Sequence, residues 1–434
     1  MKIFHIVSNK EWGGGEQYVY DLSQRQRADG IDVGIFCKPV EAIVQKYAET
    51  GMDVLPLALG GALDLKSAWQ MARVIRNLRI RESEDQSVIL HAHNFKDAFT
   101  ACYARSLAGE KQVRVVMCRH LTRKGKNSWL YRWLYRHLDR LIFDSELSKS
   151  EFLSTHPAID ASKLGVVHTS IVVPKEVTPV DIRTRFGIPS DSVIGMYHGR
   201  LDPEKGLDTL LDAVVLLQDP SFLKDTSHLS PLASHLLILV GRGSDEYTAH
   251  LKQAAADKGI SDKVVFAGFV HPVLPYVAAA DFGILASTVQ EGCPLSPQEY
   301  MSQGHPVVVT NNGGQREYVI QEQNGLLVPP GDAQALAGAM ARLIDDATSD
   351  NGWDSRQRQT SMTIWTMPII MRKSKPSMAY EQSGLLSRVC RLVSVVAAAI
   401  LDPLPLQRFC LSGPLSSAGL SCEGGAEQPQ DLVP

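Results

Sequence analysis

Hydrophobic positions along this chain follow two periods in turn. Short runs rich in Ile, Val, Leu and Phe read as buried strands at 3–7, 33–36, 88–91, 113–117 and 141–143. Between them lie amphipathic stretches of helical period at 16–27, 65–78 and 95–107. The pattern then restarts. Strands are predicted at 193–197, 236–240, 264–266, 282–285 and 306–310, and helices at 207–217, 245–258, 297–303 and 333–344. Such alternation builds a parallel sheet with helices on its faces. Two runs of it predict an α/β protein with two Rossmann-like domains facing across a cleft: residues 1–172 and 183–345, joined by a hinge at 173–182. The hinge reading rests on the extended, proline-marked stretch from Ser170 to Pro179. A ligand is expected at the carboxyl ends of the strands, between the domains.

Beyond Asp350 the alternation stops. Residues 353–371 mix Gln, Arg, Thr, Met and Pro without a sustained period, and the end from Ser421 to Pro434 has the composition of a disordered segment. Residues 346–434 therefore read as an atypical, disordered tail.

Composition narrows the picture only a little. The chain has 434 residues, 44% apolar and 21% charged, with a net charge of −3. That is the balance of a soluble globular protein with no global attraction for nucleic acid. The N-terminal apolar run is too short for a signal-peptide core. The longest apolar stretch, at 392–401, is about half of the ~20 residues that span a bilayer. These features predict a cytoplasmic protein, at most peripheral to the inner face of a membrane. Seven scattered cysteines, with no Cys-x-x-Cys pair, read as reduced thiols and indicate neither a disulfide frame nor a zinc site.

Candidate chemistry gathers where strands end. Gly13-Gly14-Gly15-Glu16 follows the first strand and opens the first helix. Adjacent glycines admit close ligand approach and positive φ, and a helix N-terminus favours phosphate. A tight turn is the plain alternative. The spacing is not that of a dinucleotide fingerprint, which disfavours a dehydrogenase. Arg200 and Lys205, in Gly199-Arg-Leu-Asp-Pro-Glu-Lys-Gly206, can face one diphosphate or be two solvated charges at a helix start. Glu291 and Glu299 flank Gly292-Cys293-Pro294-Leu295, with Glu299 in the first turn of a helix. Carboxylates there can accept hydrogen bonds from a sugar and a ribose, though Glu299 also suits a helix dipole. His91-Ala92-His93 ends a strand. One of the two is expected to face the cleft; metal binding is disfavoured because no acidic or Cys partner is evident nearby. His120 is a weaker cleft candidate, and Asp144-Ser145 fits a helix cap equally well. The segments 312–317 and 324–332 read as turns that either touch ligand or merely connect.

In order, Gly13-Gly14-Gly15-Glu16, His91-Ala-His93, Gly199-Arg200…Glu204-Lys205-Gly206, Glu291-x7-Glu299 and Asn324-Gly325…Gly331-Asp332 resemble glycosyltransferase family 4, the retaining enzymes of GT-B architecture. The resemblance spans residues 1–345. It implies a transferase that moves a sugar from a nucleotide sugar, such as a UDP- or GDP-sugar, to a saccharide or lipid-linked acceptor in envelope polysaccharide synthesis. By it, Arg200 and Lys205 hold the donor diphosphate and Glu299 takes the ribose hydroxyls. Glu291 lies against the transferred sugar, and the backbone at Gly292, Cys293, Pro294 and Leu295 contacts its hydroxyls. Gly13 and Gly14 approach the phosphates, and Phe269 and Val270 border the base. His93 approaches the reacting sugar or the acceptor, with His91 as the lesser substitute. No metal and no cofactor are implied. A sugar-nucleotide epimerase on a similar frame, or a chain that binds nucleotide without turnover, are the alternatives.

Members of the family usually close with an aromatic-rich helix that returns to the first domain, and none is readable after Asp350. Shifting the reading frame across Met362–Arg372 permits Asp-Tyr-Met-Asp-Tyr-Ala-His-His-Tyr, which is like that helix. A frameshifted coding sequence would account for the tail.

Overall fold

The computed structural model describes residues 1–78, 87–171, 174, 176–225 and 234–348. The tail beyond Thr348, its frameshift reading, Cys390, Cys410 and Cys422 and parts of the hinge lie outside the described residues.

The first half carries β1 (Lys2–Val7), β2 (Asp32–Cys37), β3 (Asp53–Pro56), β4 (Val88–Ala92), β5 (Val113–Arg119), β6 (Arg140–Phe143) and β7 (Leu164–Val166). Its helices are α1 (Gly14–Ala28), α2 (Glu41–Ala48), α3 (Leu65–Asn77), α4 (Phe95–Ala108), α5 (Trp129–His137) and α6 (Glu146–Leu153). The second half has β8 (Val193–His198), β9 (His235–Val240), β10 (Val264–Gly268), β11 (Phe282–Leu285), β12 (Val307–Thr310) and β13 (Gly325–Val328). With them run α7 (Ile182–Phe186), α8 (Leu207–Leu216), α9 (Pro220–Asp225), α10 (Asp245–Asp257), α11 (Leu274–Val277), α12 (Ser296–Ser302) and α13 (Ala333–Thr348).

Among the described residues the strands form two parallel sheets, ordered β3-β2-β1-β4-β5-β6-β7 and β10-β9-β8-β11-β12-β13. In each, the first strand lies inside the sheet and successive strands add to either side of it. The order reverses beside β1 and again beside β8, and a crevice opens at the carboxyl ends there. Burial on both faces explains the near-continuous apolar strands. In the second sheet Tyr197, Leu237, Leu239, Ile284 and Val308 join one core, while Ile194, Met196, Ile238, Val307 and Val309 join the other. That split is the period-two alternation of a strand.

Strand 325–328 corrects the turn reading of Asn324-Gly325. Buried Asn324 accepts from Ile320 N at 2.7 Å and donates to Tyr318 O at 3.0 Å, closing the loop that feeds β13. Gly283 of β11 matters for the site. A Cβ there would overlap the Tyr300 ring, so only glycine lets α12 pack this close to the sheet.

The two halves dock through Glu317. Its two carboxylate oxygens accept from Glu146 N and Leu147 N, both at 2.9 Å, at the amino end of α6. His168 Nε2 lies 2.7 Å from the same carboxylate. Gln298 Nε2 and Cys293 Sγ both donate to Thr169 O, at 3.0 and 3.4 Å. No helix of the described residues is long and apolar enough to cross a membrane.

Candidate active site

The second crevice is built from the loops after β8 and β11. Gly206 has φ of +67°, and a Cβ would collide with Ala286 O, so the 199–206 turn folds tightly against the loop after β11. Glu204 O accepts from Thr288 N at 3.0 Å and fixes that contact. Lys205 is thereby delivered to Glu291: Nζ lies 2.5 Å from Oε1, with both side chains about four-fifths buried. Ser287 Oγ donates to the same Oε1 at 2.9 Å. Arg200 instead is 63% exposed, with Asp202 Oδ2 3.5 Å away.

Glu299 emerges from the first turn of α12. Its carboxylate pairs with His198 Nε2 at the end of β8, and His198 Nδ1 lies 2.9 Å from Tyr300 OH. Glu299 is thus oriented by a histidine that is itself held. Its charge is felt across the cleft, where burial first, and Glu299 second, raise the pKa of Asp21 on α1. Between the two acids, Tyr318 OH donates to Pro294 O at 2.6 Å, and Gly314 N donates to Glu291 O at 2.9 Å. Gly292 abuts the first domain so closely that a Cβ would overlap the Asp144 carboxylate. Burial raises the Asp144 pKa to about 6. Phe269, past the end of β10, is 66% exposed with the Arg242 guanidinium 5.7 Å from its ring centroid, while Val270 packs against the core beneath.

On the facing domain Gly13 caps α1 with extended backbone, and Gly13, Gly14 and Gly15 are all absent from the positive-φ residues. None of the three uses the positive φ that glycine permits. What distinguishes Gly14 and Gly15 is open space, with no atom within 4 Å of a built Cβ. Glu16 is buried: its Oε2 accepts from Gly13 N at 3.0 Å and its Oε1 pairs with Asn9, which makes it a cap of its own helix.

The histidines depart most from expectation. His91 lies in β4 and His93 just past its end, and the two rings meet with centroids 4.4 Å apart. His5 of β1, directly paired in register with His91, joins them: its Nδ1 lies 3.1 Å from His93 Nε2. His93 Nδ1 is 3.3 Å from His120 Nε2, and His91 Nε2 is 3.0 Å from Cys118 Sγ. His5 and Cys118 are distant in sequence from His91 and adjacent to it in the sheet, so nothing local to 91–94 announces them. Burial keeps these rings neutral, bringing His5 and His120 down to about 4. His91 and His93 are likewise lowered well below the usual value, through burial first and neighbouring rings second.

The sequence reading also missed His198, Ser287 and Glu317. Each lies at the end of a strand or in the loop after it, the placement that signals a site in this architecture.

Two family models match in tandem: Glycosyltransferase Family 4 over residues 12–173 and Glycosyl transferases group 1 over 193–346. The chain belongs to glycosyltransferase family 4 and is an enzyme with the two-sheet GT-B fold. It is 26% identical to the D-inositol 3-phosphate glycosyltransferase of a Nocardioides species, over 81% of this chain and 82% of that one. It is 31% identical to the lipopolysaccharide core biosynthesis glycosyltransferase LpsE of Rhizobium meliloti, over 38% and 43% of the two chains. The Anabaena protein HepE, solved with UDP, superimposes with a TM-score of 0.65 at 21% identity, covering 84% of this chain and 98% of that one.

Proposed function

We propose that this enzyme moves a hexose, with retention, from a UDP- or GDP-sugar to a saccharide or lipid-linked acceptor in the assembly of envelope polysaccharide or lipopolysaccharide. The carrying observation is that Arg200 and Lys205 after β8, Glu291 after β11 and Glu299 in the first turn of α12 all lie beside the switch point of the second sheet. The names of the relatives, a sugar transferase to an inositol phosphate and one of lipopolysaccharide core, support the reaction class.

In this reading residues 183–345 hold the donor and 1–172 the acceptor. Arg200 and Lys205 take the diphosphate and stabilise the leaving group electrostatically, with no metal or cofactor needed. Glu299 accepts from the ribose hydroxyls, Glu291 and the backbone from Gly292 to Leu295 meet the sugar, and Phe269 and Val270 border the base. Gly13 and Gly14 approach the phosphates; the Gly13 N–H is held by Glu16, so the free amide at this end of α1 comes from Gly14. His93 meets the reacting sugar or the acceptor. The bond from C1 to the phosphate oxygen breaks as the bond from C1 to the acceptor oxygen forms on the same face. The acceptor proton passes to the departing phosphate.

Residues 121–140 support a peripheral place at the inner face of the membrane. Arg123, Lys124, Lys126, Arg132 and Arg136 are exposed there, beside Leu121 at 59% and Trp129 at 79% exposure. Cations interleaved with exposed apolar side chains suit an anionic lipid surface. The segment starts just after His120, at the acceptor side of the cleft, where a lipid-linked acceptor would arrive.

Calorimetric titration of UDP- and GDP-sugars tests the core reading, with Glu299→Ala and Arg200→Ala alongside. Saturable binding by the parent that both variants weaken is expected. No binding, or equal binding by all three, overturns it. Interconversion of the free nucleotide sugar would indicate an epimerase, and binding without turnover on any acceptor would indicate a binding protein.

A further inference from the structure

We propose that His5, His91 and His93 form a binding site for a divalent transition-metal ion of the zinc class, and that the ion, by occupying His93, switches transfer off. The inhibitory half rests on the role given to His93 above; the binding half does not.

One ring nitrogen from each of the three histidines lies within 4.8 Å of the others. The 3.1 Å between His5 Nδ1 and His93 Nε2 is close to the ~3.3 Å separating two imidazole nitrogens on one tetrahedral zinc. The remaining nitrogens point outward to a second layer: His5 Nε2 to Gln26 Oε1 at 2.8 Å, His91 Nε2 to Cys118 Sγ at 3.0 Å and His93 Nδ1 to His120 Nε2 at 3.3 Å. Histidine ligands to metals are held in this way, with the distal N–H donated outward and the lone pair turned to the ion.

A proton relay is the competing account. His120 would donate to His93, His93 to His5, and His5 to Gln26 Oε1. That chain satisfies three residues and leaves His91 Nδ1 stranded. His91 is fully buried and Nδ1 has no hydrogen-bond partner. Buried polar nitrogens are rarely left so. An ion accounts for His91 and the other two together.

The donor set names the ion class. Three neutral imidazoles with no carboxylate suit Zn2+, and also Cu2+ or Ni2+, and do not suit Mg2+ or Ca2+. His93 is only part-buried, so the ion has a route from the cleft and a fourth position for water. Donor binding involves the Arg200 and Lys205 loops, and the ion leaves these untouched.

The test uses the full chain after chelator treatment. Zn2+ is titrated by competition with a chromophoric chelator, and Co2+ is followed by its visible absorption. One ion per chain is expected, with the intense Co2+ band of a four-coordinate site. His91→Ala and His5→Gln should each weaken binding at least tenfold, and Gln26→Ala should weaken it less. Circular dichroism establishes that the variants fold. Absence of stoichiometric binding, or unchanged affinity in folded His91→Ala and His5→Gln, overturns the site. Sugar transfer by the parent is then compared with and without saturating Zn2+. Loss of rate restored by chelator, and blunted in His91→Ala, supports inhibition. Tight binding with undiminished transfer overturns the inhibitory role while leaving the site standing.

Discussion

The Lys205 ammonium lies 2.5 Å from the Glu291 carboxylate, so the lysine assigned to the donor phosphates is already paired. A diphosphate must therefore share or displace that contact. The two roles separate by mutation. Lys205→Ala removes a charged hydrogen bond to phosphate and should weaken UDP binding by about 1.5–3 kcal/mol, on the order of ten- to a hundredfold. Glu291→Gln releases the lysine and should leave UDP affinity equal or higher, while turnover with the full nucleotide sugar falls. Calorimetry with UDP and rates with the sugar donor give the two readouts. A parallel loss of UDP affinity in Glu291→Gln would overturn the assignment of Glu291 to the sugar.

His198 should act on nucleotide through Glu299 alone. It pairs with the carboxylate and is itself held by Tyr300. His198→Ala frees Glu299 to rotate, and UDP binding should weaken roughly tenfold, within the 1–3 kcal/mol of a disrupted polar network. The diagnostic comparison is UDP against 2′,3′-dideoxy-UDP. If Glu299 meets the ribose, the parent prefers UDP, and both His198→Ala and Glu299→Ala lose the preference. Retained discrimination in Glu299→Ala would falsify the ribose assignment.

Most of the scaffold was legible. The apolar runs at 33–36 and 236–240 announce buried strands because both faces of a parallel sheet are covered. The elements that escaped were short or half-buried, such as β7 with its Leu-Gly-Val, or hidden by a turn signal, such as β13 after Asn324-Gly325. The site was legible as separate residues at strand ends and not as contacts. The spacing of Arg200 and Lys205 gave no sign that one would be exposed and the other buried against Glu291. The histidine cluster shows the limit most clearly. His5 and His91 are 86 residues apart, and only the placement of β1 beside β4 makes them neighbours. That placement is a property of strand order, which local periodicity does not carry.

Acid should loosen the docking of the two halves through Glu317. Burial alone would raise its pKa, but the His168 hydrogen bond and two N–H groups of α6 outweigh it and hold the carboxyl below its ordinary value. A depressed carboxyl contributes stability above its unfolded pKa and loses it as pH falls through the folded one. Docking should therefore weaken below about pH 4.5, the ordinary range of a glutamate. Glu317→Ala should mimic acid at neutral pH by leaving the Glu146 and Leu147 amides without an acceptor, costing about 1–3 kcal/mol. Solution scattering should show a larger radius for the variant, and calorimetry a split transition. A compact variant with a single unchanged transition would show that other contacts govern docking.

Asp97 should work in the opposite direction. It is buried behind the Asn94 cap of α4, and burial raises its pKa to about 7 despite hydrogen bonds from Ser8 and Asn94. A raised carboxyl favours the folded state most fully below its unfolded pKa, near 3.8. That contribution declines as pH rises to about 7 and is level above it. The slope is at most about 1.4 kcal/mol per pH unit. Asp97→Asn removes the titration, so its stability relative to the parent should rise from pH 4 to pH 7 in denaturant melts. The neutral histidines of the same domain titrate with the contrary sign, and subtracting the variant from the parent cancels them. A difference curve that is flat across this window would refute the shift.

The segment 121–140 offers a prediction whose direction depends on salt. Surface cations near an anionic bilayer contribute about 1 kcal/mol each, and the attraction is screened within a Debye length. Trp129 contributes through burial at the headgroup level and is indifferent to salt. Sedimentation with phosphatidylglycerol vesicles should therefore capture the parent at low ionic strength and release most of it at high. Replacing Arg123, Lys124 and Lys126 by Ser should abolish the salt-sensitive part. Trp129→Ala should lower binding by a similar factor at every salt concentration. Neutral phosphatidylcholine vesicles separate the readings: a membrane-seated transferase should favour the anionic surface strongly, whereas equal capture by both lipids, or by neither, would remove the support that this segment lends to a lipid-linked acceptor.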